Sequence, residues 1–292
     1  MRAEFRLAGL ALTAGLLAAA PCTAQRTADS VLLAKHADKS IGLKIWAPGG
    51  TLILKAWDRD SVDVRGRVAS DEHFFGGGDA RGMKFGLEPA GGSEPAGQSS
   101  LVVYVPRSAR VSVKAVTARI EASGVSGSYY SVSGSMHLSG SASSIEAETM
   151  TGSLDLDLAV PWLRARTGDG HLMLRGAPED VDVSTVGGTL DVMATSIKRG
   201  QLGSVSGDIH YAASPAGGAI LEFSSHSGNV ELILPSSVSG VFALSTVTGA
   251  IENRFPGVRP AAAPRSLRLN FGHGGAQVTV RTYKGAIRVR PQ

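Results

Sequence analysis

Thr149-Met150-Thr151-Gly152-Ser153-Leu154-Asp155-Leu156-Asp157-Leu158 is answered by Thr167-Gly168-Asp169-Gly170-His171-Leu172-Met173-Leu174, and then by Thr185-Val186-Gly187-Gly188-Thr189-Leu190-Asp191-Val192. Each copy sets a hydroxyl three residues before a glycine. Two and four residues after that glycine stand apolar side chains, with a mostly polar one between them. Alternation with period two marks a strand with one buried face. Outward from this stretch the same phase returns at Gly134, Gly207, Gly228, Gly249 and Gly285, with most intervals 18–21 residues long. The longer gap before Gly285 holds a weaker unit near Gly275. Gly170 and Gly188 follow Asp169 and Gly187 rather than Ser or Thr.

A second strand precedes each glycine, with apolar pairs at Val181 and Val183, Leu221 and Phe223, Phe242 and Leu244, and Val278 and Val280. Each period thus holds two short strands meeting at a corner. The hydroxyl at the corner is placed to bond to backbone or to its counterpart in the next coil. Helix is excluded by the period, by the β-branched enrichment and by the density of Gly and Ser. A sandwich of hairpins would not need one corner signature in one phase, whereas stacked coils do. The expectation is an all-β, single-stranded, β-helix-like solenoid of 18–21-residue coils over 111–292.

Residues 40–110 break the period and read as a β-rich N-terminal cap shielding the open end of the stack. Strands are expected at Leu43 to Trp46, Thr51 to Trp57 and Val62 to Val68, with Trp46 and Trp57 packing the cap. Within it, 71–100 is rich in Gly, Ser and Pro and reads as a loop or insertion.

Residues 1–24 read as a signal peptide. Arg2 and Arg6 precede an apolar run from Leu7 to Ala20, and Cys22-Thr23-Ala24 offers small residues for cleavage before Gln25. Lipid attachment at Cys22 is the rival processing route, with Pro21 where a small residue is usual. Residues 25–39 read as a linker. The protein is expected in the periplasm, in the outer envelope or secreted. Cys22 is the only cysteine among 292 residues, so a chain starting at Gln25 has no disulfide, thiolate metal site or cysteine nucleophile.

The net charge of +4 does not point to nucleic acid. From residue 254 onward, however, the chain carries Arg254, Arg259, Arg265, Arg268, Arg281, Lys284, Arg288 and Arg290 with no acid. Such an end suits peripheral contact with an anionic surface, or a charged sheet edge that resists pairing with another chain.

No zinc-protease, P-loop or nucleophile-elbow motif is present, and no cofactor is expected. In-register stacking would align the residues three after each glycine into an outward polar column in which Asp191, His210, Glu231 and Glu252 are consecutive. Such a row suits a cation, or acid–base work on a polysaccharide. It is equally the solvated face of a sheet.

Leu43–Trp46, Gly50-Thr51-Leu52, Ala56-Trp57-Asp58-Arg59-Asp60-Ser61-Val62-Asp63-Val64, Tyr104-Val105-Pro106-Arg107-Ser108-Ala109-Arg110, Thr246–Phe255 and Lys284–Arg290 together resemble the DUF4097 family, the bacterial "putative adhesin" group of β-strand repeat proteins. The resemblance covers about 40–290. It implies a β-solenoid of bacterial envelopes or secretions and supplies no catalytic residues. The function expected is a non-enzymatic, adhesin-like binding or scaffold protein whose partners are envelope polymers or other proteins. The alternative is a carbohydrate-active β-helix enzyme.

Overall fold

The strand that ends in Thr167 and the one that begins at Leu172 lie in different sheets, and the corner between them sets the architecture. The computed structural model describes residues 30–92, 99–255, 264–273 and 275–292. The expected signal peptide, with Cys22, and residues 25–29 lie outside the described residues.

In chain order the strands are β1 (Ser30–His36), β2 (Gly42–Ala47), β3 (Thr51–Trp57), β4 (Ser61–Arg67), β5 (Glu72–Gly78), β6 (Gly82–Pro89), β7 (Ser100–Pro106), β8 (Arg110–Ala115) and β9 (Arg119–Ser123). They continue as β10 (Ser126–Ser131), β11 (Met136–Ser141), β12 (Ile145–Thr149), β13 (Leu154–Ala159), β14 (Trp162–Thr167), β15 (Leu172–Gly176), β16 (Asp180–Thr185), β17 (Leu190–Val192) and β18 (Arg199–Ser204). The last are β19 (Ile209–Tyr211), β20 (Ile220–Ser225), β21 (Val230–Leu234), β22 (Gly240–Thr246), β23 (Ile251–Asn253), β24 (Ser266–Phe271), β25 (Ala276–Thr282) and β26 (Ile287–Pro291).

From β8 to β21 the chain alternates between two sheets, and each strand pairs in parallel with the strand two on in sequence. One 13-stranded sheet runs β1-β4-β7-β3-β9-β11-β13-β15-β17-β19-β21-β26-β23. The facing one runs β24-β22-β25-β20-β18-β16-β14-β12-β10-β8-β2-β6-β5. The alternation read from the sequence sends Leu172, Leu174, Leu190 and Val192 from one sheet and Leu163, Ala165, Val181 and Val183 from the other into a shared dry core.

At both ends the winding leaves sequence order. The coil β6–β7 lies outside the earlier coil β2–β3, and β5, β4 and β1 add antiparallel strands beyond it. The final coil β25–β26 is inserted between β20–β21 and β22–β23, and β24 closes that end antiparallel to β22. Phe271 covers Phe242 and Phe255 there, with ring centroids 5.3 and 4.7 Å away. Antiparallel strands finish the stack because a parallel partner would need another full coil.

Two expectations are corrected. Most of the expected loop at 71–100 is β5 and β6, which put Glu72, Met83, Phe85 and Leu87 inside. Glycines at Gly76-Gly77-Gly78 hid that alternation. The expected linker at 25–39 carries β1, paired with β4.

The corner glycines are required by close approach rather than by a left-handed backbone, since none of Gly134, Gly152, Gly170, Gly188, Gly207, Gly228, Gly249 and Gly285 has positive φ. A Cβ on Gly170 would sit 1.8 Å from the Gly152 carbonyl oxygen, and one on Gly188 1.9 Å from that of Gly170. The corner hydroxyls do not bond to one another. Thr167 Oγ1 accepts from the Gly170 N–H at 3.1 Å and donates to the Gly152 carbonyl of the preceding coil at 3.2 Å. Thr149 and Ser131 repeat the arrangement, donating to the Val132 and Val116 carbonyls. The ladder lapses at Ser204 and Ser225, whose hydroxyls are buried without a partner.

Two phenols lie in the core. Tyr129 donates to the Val125 carbonyl at 2.8 Å. Tyr211 packs edge-on against Phe223, but its hydroxyl has no partner. Burial pushes both phenols well above the ordinary tyrosine value.

Gly170→Ala is expected to cost about 3 kcal/mol in a denaturant titration. Gly217→Ala, where a Cβ meets nothing within 4 Å, should leave stability within about 0.5 kcal/mol of wild type. Tyr129→Phe should cost about 1 kcal/mol, while Tyr211→Phe should be neutral or stabilising, because it removes a buried hydroxyl that bonds to nothing. Equal losses in the two tyrosine variants would show that the Tyr211 hydroxyl is paired in solution.

Candidate functional site

The polar column forms on the outer face of the sheet that contains β15 and β17. Parallel register sets Glu121, His137, Asp155, Met173, Asp191, His210 and Glu231 side by side. The next neighbour of Glu231 is Arg288, with Glu252 beyond it. Asp191, His210 and Glu231 are therefore consecutive as expected, but Glu252 is not. The insertion of β26 separates the two glutamates with a guanidinium.

Each carboxylate in the column is engaged. Asp191 is held by His171 Nε2 at 2.7 Å and by His210 Nδ1 at 2.9 Å. Asp155 is met by His137 at 3.1 Å and Arg175 at 2.5 Å. Arg290 donates to Glu231 at 2.8 Å, and Arg288 and Arg254 flank Glu252 at 3.6 and 3.7 Å. Apart from Arg254 with Glu252, which lie on one coil, these are half-exposed staples between neighbouring coils. Among the described residues, no group of three His, Cys, Asp or Glu side chains is disposed to hold a metal ion.

The basic C-terminal residues take their places from the same insertion. Arg281 reaches Glu222 on β20 at 2.7 Å, so both strands of the last coil present arginines to acids on adjoining coils. Arg281, Arg288 and Arg290 lie inside the stack, whereas Arg268 lies on the edge strand β24. Of the described lysines and arginines beyond 253, Arg265, Arg268 and Lys284 make no ion pair, and Arg265 donates instead to the Gly249 carbonyl.

A different feature emerges at the corners. The residue after each corner hydroxyl points outward, and stacking aligns these residues into a column. Met150, Val186, Val205, Tyr283 and Val247 are exposed there, from 46% for Tyr283 to 58% for Val247. Gly168 leaves a notch between Met150 and Val186, and His226 stacks on Tyr283 with ring centroids 5.0 Å apart. A groove of about 650 Å³ runs beside Met150, Gly168, Val186 and Val205, rimmed by Glu148, Arg166 and Asp169. Read as turn positions, these residues gave no alternation signal. Their shared phase one residue after each hydroxyl is the sequence signal that marks them.

Neither Trp46 nor Trp57 enters the core. Trp57 stacks on Tyr104 at 5.1 Å, while the neighbouring Asp58 pairs with Arg107. Hydrogen bonding from Arg107 holds the Asp58 carboxyl below the ordinary aspartate value. Two stretches distant in sequence, 56–64 and 104–110, thus form one corner. Trp46 faces outward from the opposite sheet, half-buried.

The Toastrack DUF4097 family model matches residues 33–290. No curated protein matches the chain in sequence. Among solved structures, the chain is similar to a "putative adhesin" from Bacteroides fragilis NCTC 9343, with 11% identity, 89% of this chain and 96% of that one covered, and a TM-score of 0.46. It is also similar to a "putative cell adhesion protein" from Clostridium sporogenes ATCC 15579, with 8% identity, 90% and 100% coverage, and a TM-score of 0.29.

A charge exchange tests whether the column serves stacking. Arg290→Glu should lower stability, and combining it with Glu231→Arg should recover about 0.5–1 kcal/mol of the loss in a double-mutant cycle. A coupling of zero would remove the pair from the forces that place the last coil.

Proposed function

Because the chain belongs to the Toastrack DUF4097 family, we propose that it is an exported, non-enzymatic β-solenoid of the bacterial envelope or surface that binds partner proteins along its corners. The observation that carries this reading is the exposed apolar column Met150–Val186–Val205–Tyr283–Val247 beside a groove with a charged rim. An apolar strip with a polar border has the anatomy of a protein interface. The strip is held by stacked coils, so it reaches its partner already ordered and loses little conformational freedom on binding.

The carbohydrate-active alternative would draw on Asp191 and Glu231. Both are tied to neighbouring cations or imidazoles, which suits them to bridging coils rather than to transferring protons. The leader read at 1–24 supports export, and a globular stack with apolar corners is consistent with life at an envelope. Adhesion, in this reading, is a property of the corner strip and not of the charged faces.

The test is cosedimentation of the purified protein with isolated bacterial envelopes, with and without prior protease treatment of the envelopes. Wild type should pellet with untreated envelopes and lose most of that binding after proteolysis. Met150→Ser combined with Val205→Ser should reduce the bound fraction about tenfold, the order expected for truncating two apolar anchors. A wild-type protein left in the supernatant, or a variant that pellets as well as wild type, would overturn the corner-strip reading.

A further inference from the structure

A second surface lies near the other end of the stack, on the outer face of the sheet containing β2 and β6. Register sets two rows across three neighbouring strands. One row is Lys84, Lys44 and Ser112. The other is Phe75, Gly86, Trp46 and Lys114. All of these but Gly86 line an open cleft of about 540 Å³ that also touches Glu88.

The charges here break the rule followed elsewhere. Along both faces of the stack, neighbouring coils oppose acid to base, as in Arg164 with Asp182 and Arg290 with Glu231. Lys44 and Lys84 are instead directly opposed like charges, an unfavourable cross-strand pair. None of Lys44, Lys84 and Lys114 has an acid partner among the described residues, because the one acid in the cleft, Glu88, pairs with His73. Guarding a sheet edge does not account for them, since β5 is the edge strand and β2 and β6 lie inside it.

A glycine separates the two aromatic residues of the second row. Gly86 stands between Phe75 and Trp46, and a Cβ there would lie 2.2 Å from the Trp46 carbonyl oxygen. Gly86 is itself buried, so the cleft opens above it between the two outward aromatic side chains, which stand two strand spacings or about 10 Å apart. Lys84 Nζ lies 5.5 Å from the Phe75 ring centroid.

We infer that this cleft binds an acidic saccharide, its ring packed against Phe75 and Trp46 and its carboxylate or sulfate held by Lys44, Lys84 and Lys114. Aromatic side walls offer nothing to a bare inorganic anion, while a neutral sugar leaves three ammonium groups unanswered. A long polyanion tracking the stack is disfavoured, because the same rows continue into Glu146 and Glu148. The cleft therefore takes a short segment or chain end. The inference does not rest on the corner strip.

The probe is tetragalacturonate, titrated calorimetrically against the full chain, with cellotetraose and inorganic phosphate as comparators. Wild type should bind the uronate at least about tenfold more tightly than either comparator, and Lys44→Gln with Lys84→Gln should weaken it about tenfold or more. Trp46→Phe, which keeps an aromatic wall, should weaken it less than the lysine pair does. Met150→Ser with Val205→Ser should leave it unchanged, which separates this site from the corner strip. No uronate binding by wild type, undiminished binding by the folded lysine variant, or equal binding of inorganic phosphate would overturn the assignment.

Discussion

Backbone contact between corner glycines is the constraint on which the stack depends. From Gly152 onward the α-carbon of each corner glycine lies against the carbonyl oxygen of the corner glycine in the adjoining coil, and that of Gly134 against the Ala118 carbonyl, at separations that leave no room for a β-carbon. That closeness sets the spacing of the coils and keeps both sheets in one register. The Thr167 hydroxyl stabilises the same point twice over, accepting from its own corner and donating to the preceding one. With register fixed, every inward position meets its like in the next coil, and the core becomes a continuous column of Leu, Val and Ile.

The same register decides what the outer faces can do. A side chain in one coil finds its partner at the equivalent position one coil away, so acids and bases come together across about 4.8 Å steps. Most of the outward charge is consumed in this way, and individually such exposed pairs contribute little. Their joint effect is selective rather than strong. Arginines on β25 and β26 match Glu222, Glu231 and Glu252 on the two coils that enclose them. A final coil placed at the outer end would leave the contact of either β26 arginine with Glu231 or Glu252 unmade. The unpaired lysines beside Trp46 stand out against this background.

Alternation in β13, β15 and β21 was legible in the sequence because it is local: two residues apart means the same face. The corner signature was legible for the same reason. Residues 71–100 were not, because Gly76, Gly77 and Gly78 carry no side chains to reveal a face, and the pairing of β5 with β6 and β6 with β2 had to supply it. The candidate column was legible as far as Glu231. It failed at Glu252 because neighbours were assigned by order along the chain, and the chain returns to insert Arg288 between them. The exposed corner residues were visible in the sequence only as turns.

The sequence by itself determined the class of structure: two short strands per period, one buried face each, and a glycine corner in constant phase. These follow from backbone geometry within a few residues. Only the tertiary structure decided which coil lies beside which, why the corner glycines cannot be replaced, and which charged groups remain without partners. Those outcomes depend on contacts between residues up to 69 positions apart, as for Pro48 and Thr117. No local rule encodes them, because a coil's neighbour is chosen by the free energy of the whole stack.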